Sequence, residues 1–240
     1  MHRFANPARF LRLSAALRPW ALGVALLTLL AGVWLALFDS PPDYQQGETV
    51  RIMYIHVPAA WMAMMVYATM AVASVVGLVW KHVVAELYTK AAAPLGAGFT
   101  TLCLVSGSLW GQPMWGTWWV WDARLTSVLI LLFIYLGYMV LVTAFDDLRR
   151  GLKAGAVLTL VGAVNLPIIK FSVDWWNTLH QPSSILRMEG PAIHASMLWP
   201  LLAMWLAFLC YFVAVHILRT RAELAERRIR NLRLSAAPAE

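Results

Sequence analysis

The sequence predicts an all-α polytopic membrane protein, a bundle of six transmembrane helices with both termini in the cytoplasm. Three observations support this prediction. Hydrophobic residues make up 61% of the 240 residues and charged residues only 13%, against about 45–50% and about 25% in soluble domains. Six apolar runs each approach the roughly 20 residues that cross a bilayer. The Lys and Arg residues gather at alternate ends of these runs.

The spans are expected at about residues 18–38, 57–80, 94–110, 125–145, 154–171 and 192–217. The connections are short, so residues 1–240 are predicted to form one integral membrane domain. The first run is as long as a full span, and no small-x-small cleavage site follows it. We therefore interpret it as a retained helix rather than a signal peptide.

The basic residues fix the predicted orientation. With a cytoplasmic amino terminus, fifteen of the nineteen Lys and Arg residues fall on the inner side, six of them in a basic tail over residues 218–240. This agrees with the positive-inside rule and predicts that both termini are cytoplasmic. The net charge of +7 is thereby explained by the membrane, and we expect no nucleic acid partner.

Tryptophans are concentrated in the second outward loop, in a segment over residues 110–126. Interfacial belts explain single tryptophans at helix ends, but not several on one loop. If Pro113 starts a short helix, three of these rings share one face, which is typical of a platform for a large planar ligand. The tryptophans of this segment are Trp110, Trp115, Trp118, Trp119 and Trp121.

Two histidines flank that loop in sequence. His56 precedes Pro58, which suits the first turn of the second span, so His56 is expected just above the membrane surface. His180 follows the fifth span beside Trp175 and Trp176. Two neutral imidazoles at one height are typical of bis-histidine ligation of haem iron. The alternative is that each is an ordinary polar anchor. His194 is a weaker rival ligand, or the donor of a helix–helix hydrogen bond.

Four cations remain on the outward side: Arg51, Arg124, Lys170 and Arg187. Haem carries two propionates, and guanidinium groups bind carboxylates through paired hydrogen bonds. We expect Arg124 and one of the others, such as Arg51, to bind propionates. The alternative is that these cations cap helix ends or pair with Asp122, Asp174 and Glu189.

The sequence lacks several signatures of other chemistry. It contains no Gly-x-x-x-x-Gly-Lys-Ser/Thr loop, so any ATP would be hydrolysed by a partner. It has no Cys-x-x-Cys-His motif, so bound haem should be held reversibly. Cys103 and Cys210 both lie in apolar runs and are expected to be inert packing residues.

Residues 115–126 read WGTWWVWDARLT, which resembles the tryptophan-rich signature of haem-handling proteins in cytochrome c assembly. The length, the six spans and the flanking histidines most resemble the family of the C component of the bacterial cytochrome c maturation system, also called haem exporter protein C. The resemblance extends from about Arg18 to Arg219.

The resemblance implies a haem chaperone and not an enzyme. Members hold haem b at the periplasmic face of the inner membrane, with the tryptophan loop, including Asp122 and Arg124, as platform. Matched by motif, the axial ligands are His56 and His180. The resemblance also implies partners: a periplasmic haem chaperone (the E component), a small single-span D component, ATP-binding cassette A and B components, and membrane lipid.

Two other functions remain open from the residues alone. A b-type membrane cytochrome would bury its ligand histidines within spans. A haem-transporting permease subunit would place ionisable residues along its path through the bilayer, whereas Asn165 with Pro167 is the main polar interruption here.

Overall fold

The computed structural model describes residues 6–181, 184–185, 187–188 and 190–236. Across these ranges the chain is almost entirely helical. An isolated antiparallel β-bridge joins Asp43 to Gly47. The helices are α1 Pro7–Trp34, α2 Met53–Trp80, α3 Val83–Trp115, α4 Ala123–Thr143, α5 Leu148–Gly162, α6 Asn165–Trp175 and α7 Ala195–Ala236. Short helical segments lie between α1 and α2: a π-helical turn, Leu35–Asp39, and a 3-10 helix, Glu48–Ile52.

Within the described ranges, six helical stretches are long and apolar enough to cross a membrane, with α5 and α6 together forming the fifth. The prediction of an all-α protein with six spans is thereby confirmed. Several helices exceed the predicted spans. The 33 residues of α3 and the 42 of α7 correspond to about 50 Å and 63 Å at 1.5 Å per residue, so both run well beyond a hydrocarbon core of about 30 Å.

Local sequence explains where the helices begin. Asn6, Asp122 and Asp147 each accept a hydrogen bond from a backbone amide in the first turn of α1, α4 and α5, which is the usual role of an N-cap. His82 caps α3 in the same manner, through Nδ1. The two residues between α2 and α3 therefore make a tight turn, and the two helices pack as a hairpin.

The fifth span is broken where the sequence shows its polar interruption. Asn165 begins α6, and its buried amide donates to the Ser127 carbonyl oxygen at 2.8 Å. Pro167 has no backbone N–H to donate, so the series of backbone hydrogen bonds is interrupted between α5 and α6. The side chain of Asn165 thus ties the break to α4.

The bundle core is held by tyrosines whose hydroxyls reach the backbone of neighbouring helices. Tyr67 donates to the Thr159 carbonyl at 3.0 Å, and Tyr135 donates to the Ala63 carbonyl at 2.8 Å. Both rings are fully buried and meet edge to face, 5.2 Å apart. Because an unpaired hydroxyl in hydrocarbon is costly, these bonds fix the relative positions of α2, α4 and α5.

Successive spans alternate in direction, so their ends collect into two groups. One end holds the connections over residues 40–52, 116–122 and 176–194, and we call it the loop end. The opposite end, the basic end, holds ion pairs between α3 and α7: Lys90 with Glu223 at 2.6 Å, and Arg227 with Glu86 at 4.0 Å. Residues 218–236 of the predicted basic tail continue α7 as helix.

The close approach of α3 to α4 gives a test of the packing. A Cβ added at Gly96 would overlap the phenol ring of Tyr135, whereas one at Gly98 on the same helix would meet open space. We expect Gly96→Ala to lower the free energy of unfolding by about 1–3 kcal/mol through overpacking. Thermal unfolding in detergent measures this. Gly98→Ala is the matched control and should unfold at or above the wild-type temperature; equal stability of both variants would contradict the packing.

Candidate functional site

The connections at the loop end contact one another across the end of α3. The Trp110 indole N–H donates to Gln46 Oε1 at 2.9 Å, from α3 to the first connection. The Ser108 hydroxyl donates to the carbonyl oxygen of Trp118 at 2.7 Å, which draws the second connection back onto α3. Sequence-distant residues therefore share one site at this end of the bundle.

His56 lies in the first turn of α2 and rests against α3. Its Nδ1 is 3.0 Å from the Cys103 carbonyl oxygen and 3.2 Å from Ser106 Oγ. A carbonyl can only accept, so Nδ1 carries the hydrogen and Nε2 keeps its lone pair. The prediction that His56 precedes the second helix is wrong, because the helix begins at Met53 and includes it.

The position of His56 requires a glycine on the facing helix. A Cβ at Gly107 would lie 2.8 Å from Cε1 of the imidazole and 3.3 Å from Nδ1. Both distances are shorter than ordinary contacts. Gly107 therefore lets the ring approach α3 closely enough to reach the Cys103 carbonyl, and the Trp110 ring closes the other side, edge to face at 5.7 Å between centroids.

His180 is held by a different set of groups. Its Nδ1 lies 3.4 Å from Asp122 Oδ2 and 3.4 Å from Thr178 Oγ. Thr178 in turn donates to Asp122 Oδ2 at 2.6 Å and accepts the backbone N–H of His180 at 2.9 Å. The Trp115 ring meets the imidazole edge to face, 5.0 Å between centroids. The third connection is thereby attached to the segment rich in tryptophan.

The charge states at His180 follow from this arrangement. Burial lowers the pKa of His180 below its ordinary value, with the charge of Asp122 opposing that effect, so the imidazole is neutral at pH 7. Burial alone would raise the pKa of Asp122, but hydrogen bonds from Thr178 and from the Leu125 amide, and the nearby His180, bring it below the ordinary value. Asp122 is therefore an ionised carboxylate beside a neutral imidazole.

The two histidines leave the same ring nitrogen without a partner. In the described part of the chain, neither Nε2 has a hydrogen-bond partner, and neither is an enclosed atom. Both imidazoles lie at the loop end, each held through Nδ1. The rings that flank them, Trp110 and Trp115, are five residues apart on α3, about 7.5 Å along its axis. Both accessible lone pairs are suited to bind a transition metal.

The ligand set is too small to chelate a bare metal ion. Over the described ranges, no group of three His, Cys, Asp or Glu side chains is arranged to hold one. Two imidazoles without further ligands suit a metal that carries its other donors with it, as iron does in a porphyrin. This is the chemistry that the arrangement fits.

Between α3 and α4, the tryptophan segment is an irregular loop over residues 116–122 and contains no short helix of its own. The expectation that Pro113 starts a short helix is wrong: α3 continues through Pro113 to Trp115, and residues 117–122 are not helical. The rings accordingly do not share one helical face. Trp118 is 58% exposed and Trp121 75% exposed. Trp119 packs edge to face on Trp121, and its indole N–H is enclosed without a partner among the described residues.

A second aromatic group lies at the end of α6. Trp175 stacks on Phe171 at 5.4 Å and meets Trp176 edge to face at 5.7 Å. Half or more of each tryptophan is exposed. These rings form an apolar surface at the loop end, beside the connection that carries His180.

Two of the predicted cations have partners within the protein. Arg124 donates to Ser172 Oγ at 3.2 Å and to the carbonyls of Lys170 and Ile169 at 3.3 and 3.5 Å, so it joins the start of α4 to α6. Arg51 donates to Glu48 at 2.5 Å and to the Ala36 carbonyl. Both guanidinium groups are therefore engaged with groups of the protein itself. Glu189, the expected partner of a cation, lies outside the described residues.

Sequence reasoning missed the groups that hold the imidazoles. The expectation for Cys103 concerned its thiol, and the group that faces His56 is its backbone carbonyl oxygen. Ser106 and Gly107 follow it at three and four residues, so a run of small residues on one helical face was the available signal. Nothing in the sequence indicated Thr178. His194 bonds to Ser196 at the start of α7, with 2.8 Å between Nδ1 and Oγ, and not to another helix.

Comparison with known proteins places this site in a family. The family model described as "Heme exporter protein C" matches residues 1–235. The chain is 55% identical over 233 residues to heme exporter protein C of Bradyrhizobium diazoefficiens, covering 97% of this chain and 88% of that protein. It is 50% identical over 201 residues to heme exporter protein C of Escherichia coli strain K12, covering 83% and 82%.

A relative from a plant is also similar. The "cytochrome c biosynthesis ccmC-like mitochondrial protein" of Marchantia polymorpha is 50% identical over 195 residues, which covers 81% of this chain and 82% of that protein. With a family model matched over almost its whole length and relatives at such identity, the chain belongs to the heme exporter protein C family.

Proposed function

We propose that this protein handles haem for cytochrome c maturation: it holds haem b between His56 and His180 and passes it to a periplasmic haem chaperone. The observation that carries the proposal is that both imidazoles have Nδ1 engaged and Nε2 accessible. Neutral imidazoles with a fixed tautomer are prepared to ligate iron. The names of the relatives, which refer to heme export and to cytochrome c biosynthesis, support the cargo.

Besides the two histidines, aromatic and polar residues at the loop end are suited to contact a porphyrin. Trp118 and Trp121 offer exposed aromatic surface that can cover the edge of a planar macrocycle. The enclosed N–H of Trp119 has no acceptor among the described residues, and an unpaired buried donor costs about 1–3 kcal/mol. A haem propionate would supply that acceptor. Arg124, already bonded to α6, would add its positive charge near the same loop.

Reversible ligation suits a carrier better than an electron-transfer protein. A b-type cytochrome fixes haem between two histidines inside its spans. Here His216 is buried within α7, but its Nε2 is engaged with the Tyr88 carbonyl at 3.1 Å, and His180 lies outside the helices. Ligands at the end of the bundle leave one side of the haem open to a second protein. We infer that the protein is a carrier and performs no catalysis itself.

We further infer that the loop end faces the periplasm and that both termini are cytoplasmic. The basic end carries the six arginines of α7 from Arg219 to Arg233, which favour the cytoplasmic side. In this orientation haem b is held at the outer face of the inner membrane. The receiving E component would approach from the periplasm, beside a single-span D component, while ATP-binding cassette A and B components would supply ATP hydrolysis.

The orientation can be tested by labelling. Tyr44, in the first connection of the loop end, is 91% exposed, and Arg230 is exposed at the opposite end of α7. We expect a membrane-impermeant maleimide to label Tyr44→Cys in cells whose outer membrane alone is permeabilised, and Arg230→Cys only after lysis. The wild-type protein is the control for the native thiols. Labelling of Arg230→Cys from outside would reverse the orientation.

The ligand assignment predicts a spectrum. The protein purified in mild detergent should carry low-spin haem with the absorption of bis-histidine ligation. His56→Ala and His180→Ala should each abolish the low-spin signature, because one axial ligand is removed. His194→Ala is the control and should keep it, since His194 bonds locally to Ser196. The absence of haem from the wild-type protein, or a low-spin spectrum in either ligand variant, would overturn the assignment.

The contact with Gly107 predicts a further loss. Gly107→Ala should push the His56 ring away from α3 and break its bond to the Cys103 carbonyl. Loss of such an outer support costs roughly 10–100-fold in metal affinity, so we expect haem affinity to fall within that range. Haem titration followed at the Soret band measures the affinity. Gly98→Ala, on the open side of the same helix, should bind haem as the wild type does, and equal affinity in both variants would contradict the role of Gly107.

A further inference from the structure

The two histidines differ in what accepts their Nδ1 hydrogen. His56 donates to a neutral backbone carbonyl, that of Cys103, on a helix packed against its own. His180 lies on a non-helical connection, and its Nδ1 faces a carboxylate oxygen of Asp122 and the hydroxyl of Thr178, each at 3.4 Å. The protein therefore surrounds the two imidazoles with groups of different charge.

Asp122 divides its two oxygens between two tasks. Oδ1 accepts the Leu125 amide at 2.7 Å and caps α4, while Oδ2 accepts the Thr178 hydroxyl at 2.6 Å and faces His180. The residue is 8% exposed, so its charge is poorly screened by solvent. A carboxylate would repel a haem propionate. Its surroundings therefore indicate a role toward His180 and not toward the edge of the haem.

We propose that Asp122 is a positioning residue for His180: with Thr178 it fixes the imidazole with Nδ1 protonated and makes His180 the more strongly electron-donating of two unequal haem ligands. A carboxylate that accepts the outer N–H of an imidazole raises the basicity of the ligating nitrogen. A carbonyl does so less, because it carries only a partial charge. The proposal rests on the proposed function, since it concerns the same haem.

The inequality has a structural reason. α2 fixes the direction of the His56 imidazole, and Gly107 and Trp110 confine the ring. No helix carries His180, so the groups that orient it are Asp122, Thr178 and the ring of Trp115. Asp122 is fixed as the cap of α4, and it therefore transmits the position of that helix to the imidazole.

The test uses Asp122→Asn in the full-length protein. An amide oxygen can still cap α4, but the negative charge beside His180 is removed. We expect the reduction midpoint potential of the bound haem to rise, because a weaker donor stabilises iron(III) less. We also expect a larger high-spin fraction and a roughly 10–100-fold faster loss of haem to apomyoglobin, in line with the usual cost of losing an outer-shell carboxylate.

Two matched controls separate this role from general destabilisation. Asp147→Asn alters another aspartate that caps a helix, at the start of α5 on the opposite end, and should leave potential and spectrum unchanged. Ser106→Ala removes the side-chain partner of His56 but leaves the Cys103 carbonyl, and it should shift the potential much less than Asp122→Asn.

The outcomes are distinguishable. A wild-type protein without bis-histidine haem would overturn the proposed function and this inference together. Bis-histidine haem in the wild type, with the same potential and release rate in Asp122→Asn as in Asp147→Asn, would overturn this inference alone. Should Asp122→Asn not accumulate, Thr178→Val decides: it removes the hydroxyl that competes with His180 for Asp122 Oδ2 and has no capping role. The freed carboxylate should then lower the potential, whereas an unchanged potential would refute the inference.

Discussion

The close packing of α3 against its neighbours is the constraint on which the rest of the structure depends. Hydrocarbon gives little hydrophobic gain for helix association, so small side chains and specific polar contacts must bring the helices together. The buried side of α3 consists largely of Ala, Gly, Ser, Thr and Cys. Along that side α2 approaches closely enough for an imidazole to lie on the α3 backbone. A bulkier residue there would separate the helices and remove the support of His56.

Several polar groups inside the bundle join one helix to another. Tyrosine hydroxyls join helices to backbone carbonyls, and Asn165 compensates for the broken ladder of the fifth span. Several such contacts also lie at the loop end, where the described residues of the connections have little regular secondary structure. Asp122 stands at the centre of these contacts, since it caps α4 and contacts both Thr178 and His180.

The sequence was sufficient to predict the six spans, because length and hydropathy alone decide whether a helix crosses a bilayer. It also indicated the histidines, which stand out as ionisable residues beside an unusual aromatic segment. Helix ends were harder to predict. Pro58 suggested a helix start after His56, but a proline is tolerated within the first turns when neighbouring groups compensate, and α2 begins at Met53. Pro113 likewise stands in the last turn of α3.

The groups that hold the imidazoles could not be predicted from the sequence, for a different reason. The Cys103 carbonyl belongs to the backbone, so the residue type at position 103 does not indicate its contact with His56. Thr178 and Asp122 are 56 residues apart in sequence, and only the packing of α4 against α6 brings them together. The contact of Arg124 with α6 depends on the same packing. Charge and residue type indicated candidate side chains, but their partners required the tertiary fold.

The interruption of the fifth span lets α6 follow a neighbouring helix. Because α5 stops at Gly162 and α6 begins at Asn165, the direction of α6 depends on two contacts with α4. One is made by Asn165 in its first turn, and the other by Arg124 near its end. The directions of Trp175 and Trp176, and of the segment leading to His180, therefore depend on the contacts of α6 with α4 as well as on its continuation from α5.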